Sequence, residues 1–200
     1  MRRLDNLRTL LATLLAATLA TACTGTSNRQ GRAVLPTTLE RAVDSVLHCS
    51  LPIPRGMGSW KLGKDFVWMT DNGVKTMRNV CLYAYEGTEL SVGQFVRKRD
   101  SVMQQNIPGE EAGMFMHTAE AVAPTGTVAR KNGRTLMRVA GAWEMVGDAM
   151  GGPFVSYCQV DSARNRVVIA EAFVYAPGRQ KAKVLERLEK HLLKLEINNN

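Results

Sequence analysis

Little in this 200-residue chain is of the kind that announces chemistry: it has three His, four Cys and 6% aromatic residues. So few cysteines exclude a disulfide-stapled miniprotein, and so few His and Cys together argue against a metal-rich protein. There is no G-x-S-x-G elbow, no H-E-x-x-H, no phosphate-binding P-loop and no dinucleotide fingerprint. No stretch reaches the ~20 consecutive apolar residues of a membrane-spanning helix. Internal repeats are absent, and low complexity is confined to Thr24–Arg32 and the terminal Asn198–Asn200. What remains is ordinary globular composition, 45% hydrophobic and 22% charged, in a length that suits one domain and a tail.

The tail has its own pattern. Arg2, Arg3 and Arg8 precede the uncharged run Thr9–Ala20, which is the length of a signal-peptide core. Residues 1–22 are expected to be that signal. The run closes Leu19-Ala20-Thr21-Ala22-Cys23, small residues leading into a cysteine, and this resembles the lipobox of bacterial lipoproteins. Cys23 is then the expected site of lipid attachment, residues 23–36 a lipidated tether, and a membrane the partner held through that lipid. Ala20-x-Ala22 equally suits ordinary signal peptidase, which would give a secreted protein.

Export changes the meaning of the charge. The net value of +8 falls by two once residues 1–22, with three Arg and one Asp, are removed. The basic residues are scattered over Arg97–Arg99, Arg130–Arg134 and Arg179–Lys183 without interleaved aromatics, so no nucleic-acid partner is expected.

Residues 37–197 are read as a single α+β domain: an antiparallel β-sheet with two or three amphipathic helices packed on one face. Thr37-x-x-Glu40 is a capping box opening a short helix to about His48, and Leu51-Pro52-Ile53-Pro54 ends it. Phe66–Thr70 and Asn79–Tyr85 read as strands around the turn Asp71-Asn72-Gly73. A helix is expected over Ser91–Asn106, closed by Ile107-Pro108-Gly109. Strands at 127–131 and 134–140 flank Asn132-Gly133, a strong hairpin signal. Phe154–Val160 and Arg166–Tyr175 form another hairpin, and Ala182–Leu195 carries the last helical stripe.

Candidate functional residues are few. His48, His117 and His191 stand apart, so no metal and no cofactor is expected. Cys49, Cys81 and Cys158 permit at most one disulfide, and otherwise serve as small buried apolar residues. Gly151-Gly152-Pro153 reads as a bend before a strand, where Gly152→Ala is costly if that residue takes positive φ; alternatively it frames a ligand pocket with Asp148 at its mouth. Glu171 interrupts the apolar strand Val167–Tyr175; if buried it needs a cation, and Arg138 is the candidate by type.

Five blocks carry a wider likeness: Asp65-Phe66-Val67-Trp68, Lys98-Arg99-Asp100-Ser101, Asn106-Ile107-Pro108-Gly109, Met150 to Ser156 and Phe173-Val174-Tyr175-Ala176-Pro177. Over residues 51–195 they resemble an uncharacterised lipoprotein family, a domain of unknown function, of Bacteroidetes-type bacteria. Members carry a longer region ahead of the matching part, where this chain has its tether and one short helix. The resemblance implies an envelope location but no activity and no catalytic residues. The expected function is a non-enzymatic binding or interaction module of the cell envelope, taking an envelope protein or a small-molecule ligand. The alternative is an envelope hydrolase in which Asp148 and Glu171 act as paired carboxylates.

Overall fold

The computed structural model describes residues 37–131 and 133–198. The expected signal peptide, Cys23 and the tether therefore lie outside the described residues, as does Asn132.

The first helix, α1 (Thr38–Leu47), starts where its donors are satisfied: the Thr37 side chain accepts from the Glu40 backbone N–H, and the Glu40 carboxylate accepts from that of Thr37. It buries Leu39, Val43 and Leu47 and stops at His48, which adopts a left-handed conformation at φ 47°. Strand β1 (Cys49–Ser50) follows; β2 (Ser59–Gly63), β3 (Phe66–Thr70) and β4 (Met77–Glu86) come next, and these three are joined as antiparallel hairpins. The β3–β4 turn is held by Asp71, whose Oδ1 accepts the backbone N–H groups of Gly73 and Arg78 at 3.1 and 2.8 Å. Helix α2 (Val92–Asn106) is capped by the Ser91 hydroxyl and followed by Ile107-Pro108.

Beyond α2 the chain is nearly all strand. β5 (Met116–Thr118), β6 (Thr125–Lys131), β7 (Arg134–Met145), β8 (Gly151–Asp161) and β9 (Arg166–Tyr175) precede α3 (Ala182–Leu192) and β10 (Glu196–Ile197). Eight strands form one antiparallel sheet in the order β2-β3-β4-β9-β8-β7-β5, with β6 also on β7, while β10 pairs with β1. Gly133, at φ 76°, completes the β6–β7 turn as the Asn-Gly signal requires.

Two expectations about the fold are overturned. The domain is sheet-dominated rather than α+β: among the described residues 42% are in strands and 24% helical, and the sheet curls into a half-barrel. Nor do the helices share one face. Leu39, Val43 and Leu47 of α1 join Leu188 and Leu192 of α3 over Val80, Leu82, Val168 and Ala170. Phe95 and Met103 of α2 pack on the opposite side, with Phe66, Cys81, Tyr83, Ile169 and Phe154. The cause is visible in β9, whose residues Val167 to Val174 are buried on both faces. A strand covered twice needs helices on each side of it.

Cys49, Cys81 and Cys158 are free thiols in these two cores. Burial pushes the Cys49 thiol up to about 12 and raises the other two above their ordinary range as well. They serve as apolar filling.

Candidate functional site

Strand parity puts Glu171 on the α2 side of the sheet, where its carboxylate is fully buried. Its cation is Arg99 of α2, itself fully buried, with Nη2 on Oε1 at 2.8 Å and Nε 3.1 Å from both oxygens. The hydroxyls of Tyr83 and Ser156 donate to Glu171 Oε2, each at 2.9 Å. Arg99 Nη1 also donates to Thr118 Oγ1 at 3.1 Å and faces Asp100 Oδ1 at 3.3 Å, and its Cζ lies 4.2 Å from the Phe154 ring centre. Burial by itself would lower the Arg99 pKa; the adjoining Glu171 charge overrides it, and the net direction is up. Burial, reinforced by that same carboxylate, drives the Tyr83 phenol well above its ordinary value. Every strong partner of Glu171 is thus already engaged, and no water-accessible face of the carboxylate remains for proton transfer.

Arg138, the cation nominated from sequence, lies on the other face of the sheet. There its Nε donates to Glu189 Oε1 of α3 at 2.6 Å, and the Tyr157 hydroxyl donates to the same oxygen at 2.9 Å. The hydrogen bond from Arg138 holds the Glu189 carboxyl below its usual range.

Further along the α2-side face is a cavity of about 250 Å³. Trp68, Met77, Phe173, Tyr175, Trp143 and Met145 come to it from β3, β4, β9 and β7, and Met116 from β5. Ile107 to Glu110 and the β7–β8 loop, through Asp148 and Met150, complete its wall. Asp148 and Glu110 are exposed, and no Lys, Arg or His lies among the described residues that line it. Glu171 does not line this space, so Asp148 and Glu171 do not flank a common substrate.

Two residues that line this cavity carry buried donors without a partner. Asn79 and Trp143 both line it, at 0% and 3% exposure. Asn79 Nδ2 and Trp143 Nε1 are two of four buried side-chain nitrogen or oxygen atoms without a hydrogen-bond partner among the described residues, the others being Tyr85 Oη and His191 Nδ1. A buried donor left unmade costs about 1–3 kcal/mol, and Trp143 Nε1 is shut in on the Gly152 side. Sequence reading passed over both residues. Asn79 carried a signal, a polar side chain in the alternation of Cys81 and Tyr83 on a buried strand; Trp143 carried none that separates it from an ordinary core aromatic. Arg99 was legible in retrospect too, four residues from both Phe95 and Met103 on the buried stripe of α2.

Gly151 and Gly152 are not a bend ahead of a strand. They are the first residues of β8, pairing with Glu144 and Trp143 of β7. The tight turn falls earlier, at Gly147, whose φ is 81°. Gly152 has no positive φ; a Cβ there would collide with the Val174 carbonyl oxygen and sit 3.2 Å from Trp143 Nε1. The residue is small because the backbone of β9 and the Trp143 indole approach it closely.

A second space, about 750 Å³ beside α3, is lined by Arg55, Arg78, Arg187, Lys190 and His191. Two of its cations are already paired, Arg78 with Asp71 and Lys190 with Glu186. No group of three or more His, Cys, Asp or Glu among the described residues is placed to hold a metal ion.

The family described as "Domain of unknown function (DUF4837)" matches residues 37–193. No curated protein matches the chain. Among solved structures, a similar one is LpqN of Mycobacterium tuberculosis, described as involved in cell envelope biogenesis. It is 12% identical, with a TM-score of 0.39, over 75% of this chain and 83% of that one.

Proposed function

This chain belongs to the DUF4837 family, and from there we propose that it is a non-enzymatic envelope module, tethered to a membrane through a lipid on Cys23, that binds a small apolar ligand. The cavity carries the binding half: an apolar space walled by Trp68, Trp143, Phe173 and Tyr175, lined by no Lys, Arg or His, is built to enclose a molecule rather than to transform one. The anchoring half rests on the basic start, the Thr9–Ala20 run and the small residues leading into Cys23. The paired-carboxylate hydrolase has no such support, because Glu171 is sealed into its pair with Arg99.

The binding half is tested by melting the full-length chain with n-butylbenzene. A ligand bound only by the native state stabilises it by about 2.7 kcal/mol at a hundred times Kd, a rise of roughly 5–11 °C for a domain of this size. No rise anywhere up to the solubility limit of the probe would sink the cavity reading. The anchor is tested separately. Each buried methylene contributes about 0.8 kcal/mol, so a chain acylated at Cys23 should sediment with membranes. Cys23→Ala should release it, or leave the uncleaved precursor, without changing the melting of residues 37–198. An unmodified Cys23 at the mature N-terminus by mass spectrometry refutes the anchor.

A further inference from the structure

We infer that the space of about 750 Å³ beside α3 is a second binding site, for an organic phosphate held by Arg55, Arg78 and Arg187. It shares no lining residue with the apolar cavity, so it goes beyond the binding proposed there and stands or falls separately. Three segments bring cations to it: Arg55 from the β1–β2 loop, Arg78 from β4, and Arg187 and Lys190 from α3. No Asp or Glu is among the described residues that line it.

The cations are not equivalent. Arg78 is fixed: its Nε donates to Asp71 Oδ2 at 2.6 Å and its Nη2 to the Arg55 carbonyl oxygen at 3.2 Å, which leaves Nη1 without a hydrogen bond among the described residues. Asp71 offsets its charge but does not occupy that N–H. The side chains of Arg55 and Arg187 are exposed and make no hydrogen bond or ion pair among the described residues. Lys190 is already engaged, by Glu186 at 2.9 Å and by the C-terminal dipole of α3, in whose last turn it lies with His191. The charge left for a ligand is that of two guanidinium groups, on a space where a third is held in place by its own ion pair. Like charges gathered in one place repel each other, and a bound anion reverses that cost.

These donors set the class of ligand. Guanidinium groups arriving from three segments suit an anion with acceptors on several sides: a phosphate presents three oxygens about a tetrahedron, a carboxylate two in one plane. The space also exceeds what inorganic phosphate fills, and Pro54, Val184 and Leu188 line it too, so the phosphate carries an organic group. A phospholipid headgroup and a soluble phosphate ester share that chemistry.

Titration of the full-length chain with phenyl phosphate, benzoate and inorganic phosphate tests the class. Phenyl phosphate is expected to bind roughly tenfold tighter than either of the others. It should move the ring-proton signals of His191, which lines the space, and leave those of His117, which does not, in place. Arg55→Gln and Arg187→Gln should each weaken it roughly fivefold, the scale of one partly exposed charge-assisted contact. Arg97→Gln, which removes the same charge from an exposed position on α2, should change it less than about twofold. Dihexanoyl phosphatidylglycerol below its micelle concentration identifies the source: tighter binding than phenyl phosphate assigns a lipid headgroup, weaker binding a soluble ester, and either supports the inference. If one arginine variant does not fold, the other and the His191 shift decide. Benzoate or inorganic phosphate binding as tightly as phenyl phosphate overturns the ligand class. An unmoved His191, or Arg97→Gln weakening binding as much as Arg187→Gln, overturns the site. No saturation at millimolar phenyl phosphate overturns both, and none of these outcomes touches the apolar cavity.

Discussion

Arg99→Met is expected to destabilise the domain by about 3–5 kcal/mol, the cost of leaving one member of a buried ion pair without its partner. Glu171 would keep only the hydroxyls of Tyr83 and Ser156, at zero exposure. Thermal melting should fall by roughly 6–20 °C, at 2–4 °C for each kcal/mol. Glu171→Leu should cost less, because Asp100 Oδ1 still faces the guanidinium at 3.3 Å and Thr118 Oγ1 still accepts from it. The double replacement should recover most of the loss or exceed the original stability, since an apolar pair avoids the desolvation of both charges. Urea midpoints for the three variants check the order. If both single variants melted within about 2 °C of the unaltered chain, Arg99 and Glu171 would not be the lock between α2 and the sheet that their geometry describes.

Gly152→Ala is expected to cost about 1–3 kcal/mol, as overpacking of a filled core does. The reason is steric and not conformational: the added methyl group meets the Val174 carbonyl oxygen and crowds the Trp143 indole nitrogen. Asp148→Ala, at an exposed loop position, should change stability by no more than about 0.5 kcal/mol. Because the displaced indole is also a wall of the cavity, Gly152→Ala should weaken binding of n-butylbenzene as well as lower the melting temperature. A Gly152→Ala chain with unaltered melting would be incompatible with the close approach of β8 and β9 at this point.

Punctuation in the sequence was a sound guide to where elements begin and end. The Thr37–Glu40 box, Ile107-Pro108-Gly109, Asp71-Asn72-Gly73 and the Asn132-Gly133 dipeptide are local devices, and they bound α1, α2, β3, β4, β6 and β7. β2 was missed because an edge strand with exposed Trp60, Lys61 and Leu62 shows no burial alternation. β5 was missed because three residues are too few for a period to register. The start of β8 was displaced because two glycines and a proline read as a bend when seen alone.

The sequence by itself determined the order of the three helices and of strands β3, β4 and β6 to β9, the face of β9 on which Glu171 lies, and the need of that carboxylate for a cation if it were buried. Each of these depends on residues within one turn or one strand. Only the tertiary structure decided that Arg99 and not Arg138 supplies the cation, since the choice turns on which helix covers which face of the sheet, and the partner lies 72 residues away in the chain. It alone joined Asn79 of β4 to Trp143 of β7 around one cavity, because sheet order sets β9 and β8 between them. Periodicity reports which side of its own strand a residue occupies; what stands opposite is fixed by the packing of distant segments.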